Sequence, residues 1–250
     1  MRAGLPNAVR RHLDPGERYG LRLTLIGLAI VLVAVPFSTL LFQVLAKGPL
    51  TRADGRVADA MNHAVHDHQW AVVVLEGISW LGRPPLLAVW VVAAVAYVWH
   101  QGRRRLVAFL LVTPLGGGIV DTLVKALVDR PRPVVDHPVV TAFGKSFPSG
   151  HAMSATVTYG ALLLVFLPVL APARRRLALA ATTVLVLAIG TSRLLLGVHF
   201  VSDVVGGYVL GLAWLSGAVA AFETWRVDEG RRPTHPLDEG LEPEAAEALR

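Results

Sequence analysis

The sequence predicts an all-α polytopic membrane protein with six transmembrane helices. Of its 250 residues, 54% are hydrophobic and 17% charged, whereas a soluble domain carries about 45 to 50% apolar residues and about a quarter charged ones. Six stretches approach the roughly 20 apolar residues that a helix needs to cross the hydrocarbon layer. The Lys and Arg residues gather in short clusters between these stretches, as loop charges do in membrane proteins.

The spans are predicted near residues 21–46, 71–99, 105–128, 150–171, 176–194 and 201–224. The first is too long for the apolar core of a cleavable signal and no small-residue cleavage pattern follows it, so it reads as a retained span. The second is interrupted by Gly82-Arg83-Pro84-Pro85, which predicts an interfacial turn around Trp80 and a span from Leu86 to Trp99. Pro36 and Pro114 predict kinks, because each removes a backbone donor and crowds the preceding turn. Gly116 to Gly118, and Gly207 with Gly211, offer small faces for close helix packing. The domain reading is therefore an N-terminal arm over 1–20, a six-span membrane domain over 21–224, and a tail over 225–250. That tail is rich in Glu, Asp, Arg and Pro without an apolar period, and is expected to be a disordered cytoplasmic segment.

Charge sets the expected orientation. Arg2, Arg10, Arg11, Arg18 and Arg22, then Arg103 to Arg105, then Arg174 to Arg176 all fall on one side of a six-span chain. Positively charged loops face the cytoplasm. On the opposite side Lys47, Arg52 and Arg56 are balanced by Asp54, Asp59 and Asp67. The net charge of +6 is thus accounted for by topology, and a nucleic-acid partner is not expected. The chain has no cysteine, which excludes disulfides and thiol chemistry.

Three segments set charges against apolar helix: KALVDRPRP ending at Pro133, FPSGH ending at His151, and SRLLLGVHFVSD ending at Asp203. Charged groups in or beside a bilayer are costly unless they are paired or used. In the predicted topology all three lie at the outer ends of spans three to six, which locates a candidate active site there. His199 and Asp203 are four residues apart and share a face if span six begins as helix. The carboxylate can then hold the proton of one ring nitrogen and leave the other as a nucleophile, or the two can form a helix-capping pair.

His151 follows Ser149-Gly150 at the expected start of span four. A helix N-terminus binds phosphate through its unpaired N–H groups, although the same residues suit an ordinary turn with an N-cap. Lys125, Arg130, Arg132 and Arg193 can hold phosphate oxygens, or each can serve as an interfacial anchor. That all four collect on the outer side runs against the usual charge bias. Asp121, one turn before Lys125, either orients that amine or neutralises it. His63, His66, Asp67 and His68 match no closed zinc pattern and read as a polar loop or helix edge. Glu76 lies in the apolar run before Gly82, either towards the cavity or at the interface.

The spacing K-x6-RP (Lys125, Arg132, Pro133), PSGH (Pro148 to His151) and SR-x5-H-x3-D (Ser192, Arg193, His199, Asp203) resembles the type 2 phosphatidic acid phosphatase family. That family shares its active-site pattern with vanadium haloperoxidases and bacterial acid phosphatases. The resemblance extends over roughly residues 70–222, and its one small departure is Asp129, where a glycine is frequent.

The resemblance implies a membrane phosphatase in which His199 attacks phosphorus to form a phosphohistidine and Asp203 orients it. His151 would protonate the leaving oxygen and later activate water. Lys125, Arg132 and Arg193, with the Ser149 side chain and the Gly150 amide, would hold the phosphoryl oxygens. Neither metal nor cofactor is expected, because these cations would supply what Mg²⁺ supplies elsewhere. Arg130 lies outside the motif and is left without a role.

A polar site at the bilayer boundary suits a lipid-linked phosphate at the outer face of the plasma membrane: phosphatidic acid, phosphatidylglycerol phosphate or polyprenyl diphosphate. Two alternatives keep the same fold. One is a phosphotransferase that passes phosphate from the same histidine to a lipid or sugar hydroxyl. The other is a catalytically silent lipid-binding or transport protein, which the presence of both histidines disfavours.

Overall fold

The computed structural model describes residues 35–249. They form helices α1 Val35–Leu45, α2 Pro49–His63, α3 Gln69–Trp80, α4 Pro84–His100, α5 Arg104–Val128, α6 Gly150–Phe166, α7 Pro172–Leu195, α8 Val201–Asp228 and the short α9 Pro236–Glu239. No strand occurs among the described residues. Most of the predicted first span, with the turn before Pro36 and the N-terminal arm, lies outside the described residues.

Four helices are long and apolar enough to cross a membrane: α5, α6 with the 3-10 turn Leu167–Val169 that extends it, α7 and α8. A fifth arises if α3 and α4, bent by 41° at their junction, count as one broken span. The bend falls on the Gly-Arg-Pro-Pro stretch that predicts it, and α4 begins with Pro84, where a missing N–H costs nothing. Pro114 does not break α5, which runs helical for 25 residues. Val92, Leu115, Ile119 and Leu123 are each more than half exposed. A surface of this kind suits lipid rather than water.

The bundle is built around α6. In its span window 61% of residues are buried, against 22% to 28% for α5, α7 and α8, and α6 packs on α4, α5, α7 and α8. Small residues allow the closest of these approaches. A Cβ on Gly207 would lie 2.7 Å from the Ser149 carbonyl oxygen, and one on Gly211 would lie 3.0 Å from Thr156 Cβ, so α8 can lie directly against the start of α6. Of the Gly116–Gly118 run, Gly116 faces the Trp214 ring and Gly117 faces Val157, while Gly118 has nothing within 4 Å.

Two regions depart from the sequence reading. Residues 47–70 contain an amphipathic helix, α2, packed on α7 and α8. Its buried residues are Asp54, Ala58 and Asn62. The inward stripe is therefore mostly polar, and no apolar period betrays it. The second departure is the tail, expected to be disordered over 225–250. α8 continues to Asp228, and the chain then folds back on the bundle.

Leu241, Ala245 and Leu249, spaced four apart, are buried with Leu106, Leu110 and Leu164, and the Leu241 N–H donates to the Leu164 carbonyl at 3.2 Å. Arg226, wholly buried, donates to the Glu244 carboxylate and to the Arg232 carbonyl at 2.8 Å. Arg105 pairs with Glu229 at 2.9 Å and with Glu242 at 3.7 Å. The acidic residues that suggest disorder in sequence are here the counter-ions of buried arginines.

Candidate active site

Four helix ends converge at one end of the bundle: the end of α5, the start of α6, the end of α7 and the start of α8. α5 terminates at Asp129, whose φ of 50° and ψ of 33° lie in the left-handed region. Glycine adopts that conformation readily and Asp tolerates it, so the departure from the family pattern leaves the chain path intact. The RPRP segment that follows has no regular secondary structure, and residues before proline avoid the helical region. Arg130 and Arg132 turn to different partners.

Arg130 turns inward and is 9% exposed. Its guanidinium donates to Asp203 Oδ1 at 2.7 Å, to Ser202 Oγ at 2.6 Å and to Asp54 Oδ2 at 2.9 Å. It also stacks 4.1 Å from the centroid of the Phe200 ring. Asp54, from α2, accepts the Ser202 N–H at 3.1 Å and the Ser202 hydroxyl as well. Asp203 is fully buried. While Oδ1 takes Arg130, Oδ2 accepts the Phe200 N–H at 2.9 Å and lies 3.3 Å from His199 Nδ1. Asp203 thus caps α8 and contacts the histidine at once, so the two readings of this pair in sequence are not exclusive.

His199 sits in the α7–α8 turn and is 2% exposed. Its Nε2 lies 3.0 Å from Arg132 Nη1. Guanidinium can only donate, so Nε2 accepts and the ring proton resides on Nδ1, facing Asp203. Burial pushes the His199 pKa down to about 4; the Asp203 carboxylate opposes the shift, and Arg132 and Arg193 reinforce it. The imidazole is therefore neutral at pH 7, with its lone pair on Nε2.

Arg132 also donates to the carbonyls of Val198 at 2.8 Å and Phe143 at 3.0 Å. It lines a cavity of about 500 Å³ together with Glu76, Ser79, Arg83, His151, Arg193 and the wall Val139–Phe143. His199 is not on that wall and meets it through Arg132.

Arg193, at the end of α7, donates to Ser79 Oγ at 2.5 Å. Its Nε has no hydrogen-bond partner among the described residues, and neither do His151 Nε2 and Ser149 Oγ, although all are buried. Buried polar atoms are normally paired, and these three belong to residues that the sequence assigns to one site. Ser149 is the N-cap of α6 but its hydroxyl makes no capping bond. Its N–H instead donates to the Asp203 carbonyl at 2.9 Å, which ties the start of α6 to α8. Lys125 Nζ bonds Asp121 at 2.5 Å. The ammonium lies against Gly150, where an added Cβ would be 2.8 Å from it.

The structure thus brings His199, Asp203, Arg132, Arg193, His151, Ser149 and Gly150 to one end of the bundle, with Lys125 beside Gly150. Sequence reasoning missed Asp54 and Ser202 and gave Arg130 no role. It also missed Ser79 and Arg83. Only Arg130 carried a visible signal, as a second arginine in a rigid segment.

Residues 105–226 match the model of the PAP2 superfamily. The chain is similar to phosphatidylglycerophosphatase B of Bacillus subtilis, 32% identical over 179 residues that cover 69% of this chain and 87% of that protein. It is similar also to decaprenylphosphoryl-5-phosphoribose phosphatase of Mycobacterium tuberculosis, 33% identical over 168 residues that cover 64% of this chain and 85% of that one. Among solved structures, a transmembrane PAP2-type phosphatidylglycerolphosphate phosphatase from Bacillus subtilis superposes with a TM-score of 0.68 at 27% identity, covering 82% of this chain and 98% of that one.

Proposed function

Because the chain belongs to the PAP2 superfamily, we propose that this phosphatase hydrolyses lipid-linked phosphate through a phosphohistidine on His199, without a metal. The observation that carries the proposal is the state of His199: a neutral ring, its Nδ1 proton held towards Asp203 and its Nε2 lone pair directed at a cation of the cavity wall.

The terminal phosphate enters the cavity and takes over the donors of Arg132 and Arg193, and the Ser149 hydroxyl, the Gly150 amide and Lys125, which stand outside the cavity lining, complete its set of donors. Nε2 attacks phosphorus, and the bond to the lipid oxygen breaks with its electron pair. His151 donates a proton to that oxygen, so the lipid leaves as an alcohol. Asp203 stabilises the positive imidazole that forms. A water then attacks the phosphohistidine as His151 takes back a proton, and inorganic phosphate is released. Fixed cations around the phosphoryl group supply most of the rate enhancement in such a transfer.

The named relatives suggest terminal phosphates on different lipids, and the candidate substrates remain phosphatidic acid, phosphatidylglycerol phosphate and polyprenyl diphosphate. In the membrane we read residues 21–224 as six spans with the site at the outer ends of spans three to six and the arginine clusters in the cytoplasm. A reporter fused after Pro138 should then be external. The chemistry is tested by phosphate release from those three lipids by detergent-purified protein in EDTA. His199→Ala should abolish release and the base-stable, acid-labile phosphoprotein trapped by quenching. Undiminished release by His199→Ala, or a requirement for divalent metal, would overturn the mechanism.

A further inference from the structure

We propose that the protein carries a second, non-catalytic site for a divalent transition-metal ion of the zinc class, formed by His63, His66, His137 and Asp67. His63 is the last residue of α2, while His66 and Asp67 lie in the turn to α3. His137 comes from the α5–α6 loop. The fold brings one ligating atom of each histidine within 4.8 Å of the others. The His66 and His137 rings lie 4.4 Å apart, and those of His63 and His66 lie 4.8 Å apart. His68, which the sequence groups with them, is instead the N-cap of α3.

Hydrogen bonding points to a cation at this place. His66 Nδ1 lies 2.9 Å from the His63 carbonyl oxygen. A carbonyl only accepts, so Nδ1 carries a proton, which leaves Nε2 as the ring atom that can take a metal ion. A backbone carbonyl on the far nitrogen is also what fixes the orientation of a metal-bound imidazole. Yet that Nε2 faces Asp67 Oδ1 at 3.1 Å. A lone pair and a carboxylate oxygen repel at this distance, so either a second ring proton or a metal ion stands between them. Two donors sharing one zinc ion at about 2.1 Å are roughly 3.4 Å apart in a tetrahedron. His63 and His137 are exposed and can turn onto the same ion. Three imidazoles and one carboxylate suit zinc, cobalt, nickel or copper better than magnesium or calcium.

Such an ion would clamp the α2–α3 turn to the α5–α6 loop. That loop continues into Val139–Phe143 of the cavity wall and supplies the Phe143 carbonyl that holds Arg132. The clamp would steady the wall without touching the reacting phosphate.

The test uses the full chain, purified in detergent without a polyhistidine tag and stripped with EDTA, then titrated with Co²⁺. One equivalent should bind with the strong visible absorption of four-coordinate cobalt, and Zn²⁺ should displace it. His63→Gln and His137→Gln should each lose that band while releasing lipid phosphate in EDTA at the wild-type rate, which shows that they are folded. Zn²⁺ should slow amide exchange in residues 134–146 of the wild type and not in the variants. Failure to bind one equivalent, or binding that survives both substitutions, overturns the site. Binding without the change in exchange overturns the clamp.

Discussion

Arg130 and Asp203 form a 2.7 Å ion pair in the protein interior, the carboxylate fully buried and the guanidinium 9% exposed. Asp54 completes the arrangement from another helix. Removing one partner of such a group leaves charge buried and unpaired, which costs about 3 to 5 kcal/mol. Arg130→Ala should therefore unfold at a distinctly lower temperature in detergent, and should lose activity because Asp203 no longer holds its place beside His199. Asp54→Ala should do the same to a lesser degree. A wild-type melting temperature in Arg130→Ala would contradict the pairing.

The pH profile follows from His199. Its pKa is pushed down to about 4, and the proposed attack needs the neutral ring. Activity that depends on His199 should therefore persist as pH falls through 6.5, the ordinary histidine value, and decline only near 4. An acid limb at 6.5 or above in the wild type would place His199 in a far wetter setting than it occupies here.

Two glycines offer a matched comparison. At Gly207 even a methyl group meets the Ser149 carbonyl at 2.7 Å, whereas at Gly118 nothing lies within 4 Å. Gly207→Ala should push α8 off the start of α6, lowering both melting temperature and activity. Gly118→Ala should be neutral or stabilising by up to about 1 kcal/mol, the helix-propensity difference. Equal behaviour of the two variants would contradict the close packing of α8 on α6.

Truncation after Glu229 should destabilise the protein, since it uncovers Leu106, Leu110 and Leu164 and strips Arg226 of the Glu244 carboxylate. Thermal unfolding of the truncated chain in detergent measures this. A loosely attached tail would leave the curve unchanged.

What sequence makes legible depends on which chemistry faces inward. The long apolar helices and the break at Gly82–Pro85 follow from length and from Gly and Pro. α2 hides because its buried stripe contains Asp54 and Asn62, so its polarity is inverted relative to an ordinary surface helix. The tail hides because Leu241, Ala245 and Leu249 are diluted by glutamates whose partners, Arg105 and Arg226, lie far away in the chain. At the site, the His199–Asp203 contact is readable as a helical spacing. The pairing of Arg130 is not, because Asp54 stands 76 residues away and only the fold introduces them.

The cavity wall has its own charge balance. Arg83, Arg132 and Arg193 contribute three positive formal charges and Glu76 one negative, a surplus of two. A terminal phosphate carries about 1.5 to 2 negative charges at pH 7 and nearly cancels it. A phosphodiester, with one, leaves one positive charge of the wall uncompensated. Chain-end phosphates are thus favoured over bridging ones by electroneutrality, before any contact with the lipid that bears them.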